Sequence, residues 1–137
     1  MKKKPIKFGP FPHEMVERTL EIELAAGGVY CSAQAQIHIE KKHPGDSPLI
    51  LQHMKRIVEA PTWVGQSPRH NDSIEFVKRI KVQEQEEGGV VIREYHALLA
   101  VSLERDQYGD YRIESGYTIS EEDVTPRRLK NRLLSPK

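Results

Sequence analysis

His38, Lys42 and His43 lie within six positions of one another. Residues four apart share a helix face, so a helix here would set His38 and Lys42 side by side. Imidazole gives and takes protons near neutral pH, and a lysine beside it adds a fixed positive charge. Those groups suit phosphodiester cleavage: one proton leaves the attacking hydroxyl, another reaches the departing oxygen, and a cation offsets charge growing on the phosphate. Pro44 disfavours helical geometry at His43, which places His43 at a helix end where the macrodipole favours a protonated ring. The competing reading of the same spacing is a charged, solvated helix face with no chemistry. Metal binding is not expected. His38 and His43 are five apart, one position off the zinc-clamping pair, and Ile39 stands where the zinc-protease motif has glutamate.

Two other segments carry polar groups in suggestive order. Gly65 to Asp72 is a polar loop with Arg69 and His70 near its tip, and Lys78 and Arg79 come soon after it. These four could line a phosphate path, and Lys78 and Arg79 could equally guard a strand edge. In the segment Tyr111 to Ile119, strand parity puts Ser115 and Tyr117 on the same face as Ile113 and Ile119. Parity leaves two readings open: a core tyrosine with a satisfied hydroxyl, or a Ser–Tyr pair at the mouth of a cleft, holding a phosphate oxygen. His96, Trp63 and Cys31 read as structural. A glycine-rich phosphate loop, a serine elbow and a dinucleotide fingerprint are all missing, so no cofactor is implied.

The elements that must position these residues are legible in outline. The first dozen residues read as an extended arm, and His13 to Leu20 as a weak helix. Gly27-Gly28 breaks the chain before a short apolar strand at Val29 to Cys31. Ser32 caps a helix over Ala33 to Lys42. Ser47-Pro48 opens a second helix, with Leu49, Ile50, Met54, Ile57 and Val58 on its buried face, ending before Pro61. Strands are expected at Thr62 to Gly65, Ile74 to Val82 and Tyr111 to Ile119, and Val90 to Leu103 holds one long strand or two broken ones. The turn Asp106 to Asp110 pairs the last two as a hairpin. Gln83 to Gly89 reads as an exposed acidic loop, and Pro126 to Leu134 as a basic helix or tail. Helices first and antiparallel strands second is the α+β pattern.

Composition sets outer bounds. The 137 residues are 37% hydrophobic and 30% charged, which suits one soluble domain. With 21 basic and 20 acidic residues, an anion-binding surface has to come from local clustering. A lone cysteine permits no intrachain disulfide. Lys2 to Lys4 resemble the basic start of a signal peptide, but Gly9, Pro10 and Pro12 break the stretch where its apolar part should lie. No apolar run approaches the ~18 residues of a membrane span. A cytoplasmic location is expected.

Taken together, several stretches resemble the phage-type barnase–EndoU–colicin–RelE-like (BECR) nucleases. They are Val29-Tyr30-Cys31-Ser32 with Ala35, His38 and Lys42-His43-Pro44; the run from Ile57 to His70; Phe76-Val77; and Tyr111 to Tyr117. The resemblance spans roughly Val29 to Tyr117, and its specific feature is the His-Pro helix end combined with the late Ser-x-Tyr strand. It implies N-terminal helices followed by a roughly four-stranded antiparallel sheet, and RNA cleavage without a metal. By position it assigns His38, His43, Ser115 and Tyr117 to catalysis, and Arg69-His70 to a central loop where many relatives carry a second histidine. Lys42, Arg69, His70, Lys78 and Arg79 are the expected nucleic-acid contacts. The organisation read from this is an arm and short helix over 1–28, a nuclease domain over 29–120, and a basic helix or tail over 121–137. The expected activity is attack of an RNA 2′-hydroxyl on its own phosphate, with RNA (tRNA among the candidates) as substrate, a cognate inhibitor or immunity protein as partner, and a toxin or phage-associated role. The alternative is a non-catalytic phage assembly or RNA-binding module of the same fold.

Overall fold

The computed structural model describes residues 3–67 and 72–137. In chain order the elements are β1 (Ile6–Pro10), α1 (His13–Leu20), β2 (Gly28–Cys31), α2 (Ala33–Lys42), α3 (Ser47–Glu59), β3 (Trp63–Gln66), β4 (Ser73–Glu86), β5 (Gly89–Ser102), β6 (Tyr111–Ile119) and α4 (Glu121–Leu129). The α+β class holds. The sheet differs from the expected four antiparallel strands: among the described residues it has six, in the order β1-β2-β6-β5-β4-β3, with β2 running parallel to β6. The arm is the reason. Ile6 and Lys7 pair with Cys31 and Tyr30, so backbone groups of a segment without strong strand patterning are satisfied by its neighbour.

α2 ends where Pro44 requires, with His43 as its C-cap, and Ser32 caps its start by accepting from the Ala35 N–H. α3 departs slightly from expectation. Ser47 is inside the helix and Asp46 is the N-cap residue, but the Asp46 side chain makes no cap bond; its carboxylate accepts from the Thr118 N–H instead. The acidic stretch Gln83 to Gly89 is not a loop. β4 runs to Glu86 and β5 starts at Gly89, with Gly88 and Gly89 at φ +101° and +127° making the turn. Cross-strand bonds from Arg93 to Glu84 and Glu86, and from Tyr95 to Glu84, explain how so acidic a segment stays in register. The terminal helix starts earlier than expected, at Glu121, because Ser120 caps it and the acidic first turn complements its dipole.

The main core lies between α3 and one face of the sheet. Ile50, Met54, Ile57 and Val58 pack against Ile74, Phe76, Leu99 and Ile113, all fully or almost fully buried. Phe11 stacks on Tyr111 at 4.0 Å and meets Phe76 edge-on at 5.9 Å, which fastens the arm to the sheet. A smaller cluster of Trp63, Val77, Leu98, Val124 and Leu133 fills part of the opposite face, under α4.

One local irregularity decides which residues share a face. A bulge at Glu114 shifts the register between Val101↔Ile113 and Ala100↔Ser115. Ile113 consequently points into the main core, whereas Ser115, Tyr117 and Ile119 point to the opposite, outer face. Simple parity, which grouped Ile113 with Ser115 and Tyr117, fails for this reason.

Candidate active site

The sheet register sets out the outer face in rows. Directly opposed residues of an antiparallel pair project to the same side. One row is therefore Gly65, Glu75, Ala100 and Ser115; the next is Trp63, Val77, Leu98 and Tyr117; a third carries Arg79, His96 and Ile119. Glu75 and Ser115 stand two strands apart, roughly 9–10 Å at ordinary strand spacing, with only the small side chain of Ala100 between them.

Tyr117 is where sheet and helices meet. Among the described residues, β6 pairs with β2 only through Tyr111 and Arg112, and the turn between α2 and α3 flanks its later part. The Thr118 N–H donates to the Asp46 carboxylate at 2.9 Å, and the His43 carbonyl accepts from the N–H groups of Asp46 and Ser47. These bonds hold the turn against β6, and the His43 ring lies 4.9 Å from that of Tyr117, tilted by 31°. A histidine at a helix C-terminus is thereby fixed against a half-buried tyrosine at the rim of the outer face.

Glu75 is the second chemical feature of this face. It is 5% exposed, between the apolar residues Ile74 and Phe76. Arg127 of α4 donates to its Oε1 at 3.0 Å. Burial raises the Glu75 carboxyl above the usual carboxylate range, and Arg127 opposes that shift only in part. A carboxylate with raised pKa, an adjacent arginine, a histidine and two hydroxyl side chains thus share one side of the sheet. Such a set can accept a proton, donate one, and stabilise a phosphate's negative charge.

The remaining expected residues are scattered. His38 and Lys42 are exposed on α2, the helix packed along β6. Lys78 donates to the Ala60 carbonyl at 2.7 Å and so satisfies the C-cap residue of α3. Arg79 pairs with Glu94 at 2.9 Å and covers the Trp63 ring from 5.2 Å. Arg69 and His70 fall outside the described residues, between Ser67 and Asp72 at the β3–β4 junction. His96, Trp63 and Cys31 are buried, as a structural reading requires, and burial pushes the Cys31 thiol up to about 11. Glu75 and Arg127 escaped sequence reading. A lone carboxylate inside the apolar run 74–77 was a usable signal for Glu75; nothing in the sequence pointed to Arg127. Among the described residues, no group of three or more His, Cys, Asp or Glu side chains is placed to hold a metal ion. No described helix is long and apolar enough to cross a membrane.

Residues 6–125 match the family described as phage-Barnase-EndoU-ColicinE5/D-RelE like nuclease3, PBECR3. The chain belongs to this family. PBECR3 proteins are by description nucleases, so the substrate of this chain is a nucleic acid. No curated protein and no solved structure matches the chain. The PBECR3 match takes in α2, β4 and β6, with His38, His43, Glu75, Ser115 and Tyr117, and stops within α4, two residues short of Arg127. The partner of Glu75 therefore comes from outside the matched segment.

Proposed function

We propose that this chain is a metal-independent endoribonuclease and that its active site lies on the outer face of the sheet, around Tyr117. The observation that carries this reading is the contact of His43 with Tyr117, on the face that also presents Ser115 and the buried Glu75. In the proposed reaction, Glu75 takes the proton from an RNA 2′-hydroxyl, whose oxygen bonds to the adjacent phosphorus. The bond from phosphorus to the 5′-oxygen breaks, and protonated His43 gives its proton to that oxygen. The products are a 2′,3′-cyclic phosphate and a free 5′-hydroxyl. Arg127, Ser115 and Tyr117 stabilise the charged phosphate oxygens. His38 and Lys42, exposed on the neighbouring helix, and Arg69 and His70 contact the flanking RNA. Because the substrate supplies its own nucleophile, no metal-activated water enters the scheme. A phage-associated or toxin role, with a cognate inhibitor as partner, accompanies this reading.

The test is cleavage of total tRNA and ribosomal RNA, and of a defined oligonucleotide, by the folded chain. Expected are cyclic-phosphate products, persistence of cutting in excess chelator, and no cutting of the same oligonucleotide with a 2′-deoxy group at the scissile position. Robust cleavage of the deoxy substrate, or activity lost in chelator and restored by a divalent ion, refutes the mechanism. Absence of any cleavage at high protein concentration would favour a non-catalytic module.

A further inference from the structure

The chain beyond α4 runs back across the proposed site. Asn131, at φ +57°, reverses the backbone, and the N–H groups of Arg132 and Leu133 both donate to the Arg127 carbonyl, at 2.7 and 3.2 Å. Leu134 then pairs with Val64 of β3 through two backbone bonds, of 2.8 and 2.9 Å. Farther on, the Lys137 N–H donates to Thr19 Oγ1 and Arg18 donates to the Lys137 carbonyl, which ties the segment to α1. Residues 130–137 lie wholly outside the stretch that matches the nuclease family.

Protection of the β3 edge is the simple explanation for this pairing. It does not account for where the segment lies. A Cβ added at Gly65 would overlap the Arg132 carbonyl oxygen and come within 2.9 Å of that carbonyl's carbon and 3.2 Å of Leu133 Cδ2. That Cβ would point to the outer face, because Gly65 shares a row with Glu75. The segment therefore rides over the face at Gly65 instead of lying beside the strand, and the missing side chain is what leaves it room. Leu133 extends the cover. It is 2% exposed and packs with Trp63, Val77 and Leu98, the row that contains Tyr117.

What is covered is the proposed chemistry. Glu75 is directly opposite Gly65 and 5% exposed, and Arg127 occupies its Oε1. A base so enclosed has to be uncovered before a 2′-hydroxyl can reach it. The cover is lightly held. Asn131, Arg132, Ser135 and Lys137 are exposed, and Leu133 is the one buried residue in 130–137. Segments with few buried apolar contacts open at low free-energy cost. α4 is anchored separately, by buried Val124 and the Arg127–Glu75 pair, so it can stay in place when the segment beyond it lifts.

We infer that residues 130–137 are an autoinhibitory strap, which closes the outer face in the resting protein and lifts when RNA binds. What the strap regulates rests on the ribonuclease reading; its seat on Val64 and Gly65 does not. The test uses the full chain and a 2′-O-methyl RNA oligonucleotide, which has no free 2′-hydroxyl and so binds without being cut. Amide hydrogen exchange at Val64 and Leu134 reports the strap directly, and saturating oligonucleotide should speed it at both. Gly65→Ala, which displaces the Arg132 carbonyl, and Leu133→Ala, which removes the buried anchor, should each speed the same amides without RNA. Both should also tighten oligonucleotide binding. An open form holding about 0.1–10% of molecules weakens binding by that fraction, so a gain of about tenfold or more is expected. KM for a cleavable RNA should fall in parallel, with kcat unchanged. If neither variant folds, the effect of RNA on the native chain's two amides decides alone. Slower or unchanged exchange on RNA binding, or freed amides in the variants without a gain in binding, overturns the strap. An oligonucleotide bound by neither the native chain nor the variants overturns both readings. Release by RNA without cleavage of any RNA keeps the strap and refutes the nuclease mechanism; cleavage with the two amides unmoved does the reverse.

Discussion

Replacing Glu75 by glutamine separates a catalytic carboxylate from a structural one. Glutamine keeps the shape and leaves an oxygen to accept from Arg127, so the hydrogen bond seen at 3.0 Å survives in kind. What is lost is the charge, and with it the ability to take a proton. If Glu75 is the general base, cleavage should fall by about 10²- to 10⁴-fold. Stability should move the other way with pH. The carboxyl's pKa is raised by burial in the folded protein. A raised pKa contributes stability that is fully present below the unfolded-state value and is lost as pH rises through the folded value. The native chain therefore loses this contribution between the ordinary glutamate range and the elevated pKa of Glu75, and the glutamine variant does not. The difference in melting temperature, variant minus native, should grow across that window and then level off. Arg127 keeps a quarter of its side chain exposed, so an excess positive charge there remains solvated. The assays are initial cleavage rates on one RNA substrate and thermal melts from pH 4 to 8. A variant with near-native activity would refute the role of Glu75 as base. A variant that melts well below the native chain at every pH would show that the carboxylate is there for structure.

The same geometry has other testable consequences. His43→Ala should cost roughly 10²-fold in cleavage rate, because it deletes the proton donor. His38→Ala, at an exposed helix position, should cost less than about tenfold in rate; a larger loss at His38 than at His43 would exchange their roles. Gly116→Ala should destabilise the fold by about 1–3 kcal/mol, since the added methyl would sit 2.7 Å from Ile50 Cγ2 and 2.8 Å from Leu99 Cδ2. An unchanged melting temperature would mean that α3 can back away from β6.

Local signals were sufficient for much of the architecture. Ser32 as a cap and Pro44 as a stop define α2, because capping and proline geometry act over four residues and need no tertiary partner. The apolar spacing from Leu49 to Val58 defines the buried face of α3 in the same way. The motif pair of His-Pro helix end and Ser-x-Tyr strand was enough to indicate the nuclease family that the chain belongs to. Other features were out of reach because they depend on distant pairing. The arm becomes β1 only because β2 presents an unsatisfied edge beside it, and β2 pairs in parallel with β6, about eighty residues later in the chain. The acidic ribbon holds as strands because Arg93 and Tyr95 bind its glutamates from the opposing strand.

The site divides along the same line. By itself the sequence determined the candidate chemistry: histidines at a helix end, and a serine and tyrosine two apart in the last strand. Their residue types and local spacing were visible without a fold. Only the tertiary structure decided which of them meet. The bulge at Glu114 turned Ser115 and Tyr117 away from the main core, the Asp46–Thr118 hydrogen bond brought His43 onto Tyr117, and α4 folded back to set Arg127 on Glu75. The last two of these join residues more than fifty positions apart in the chain. A one-residue shift in strand register reverses which face a side chain occupies, so the composition of the outer face depends on backbone pairing, about which local periodicity carries no information.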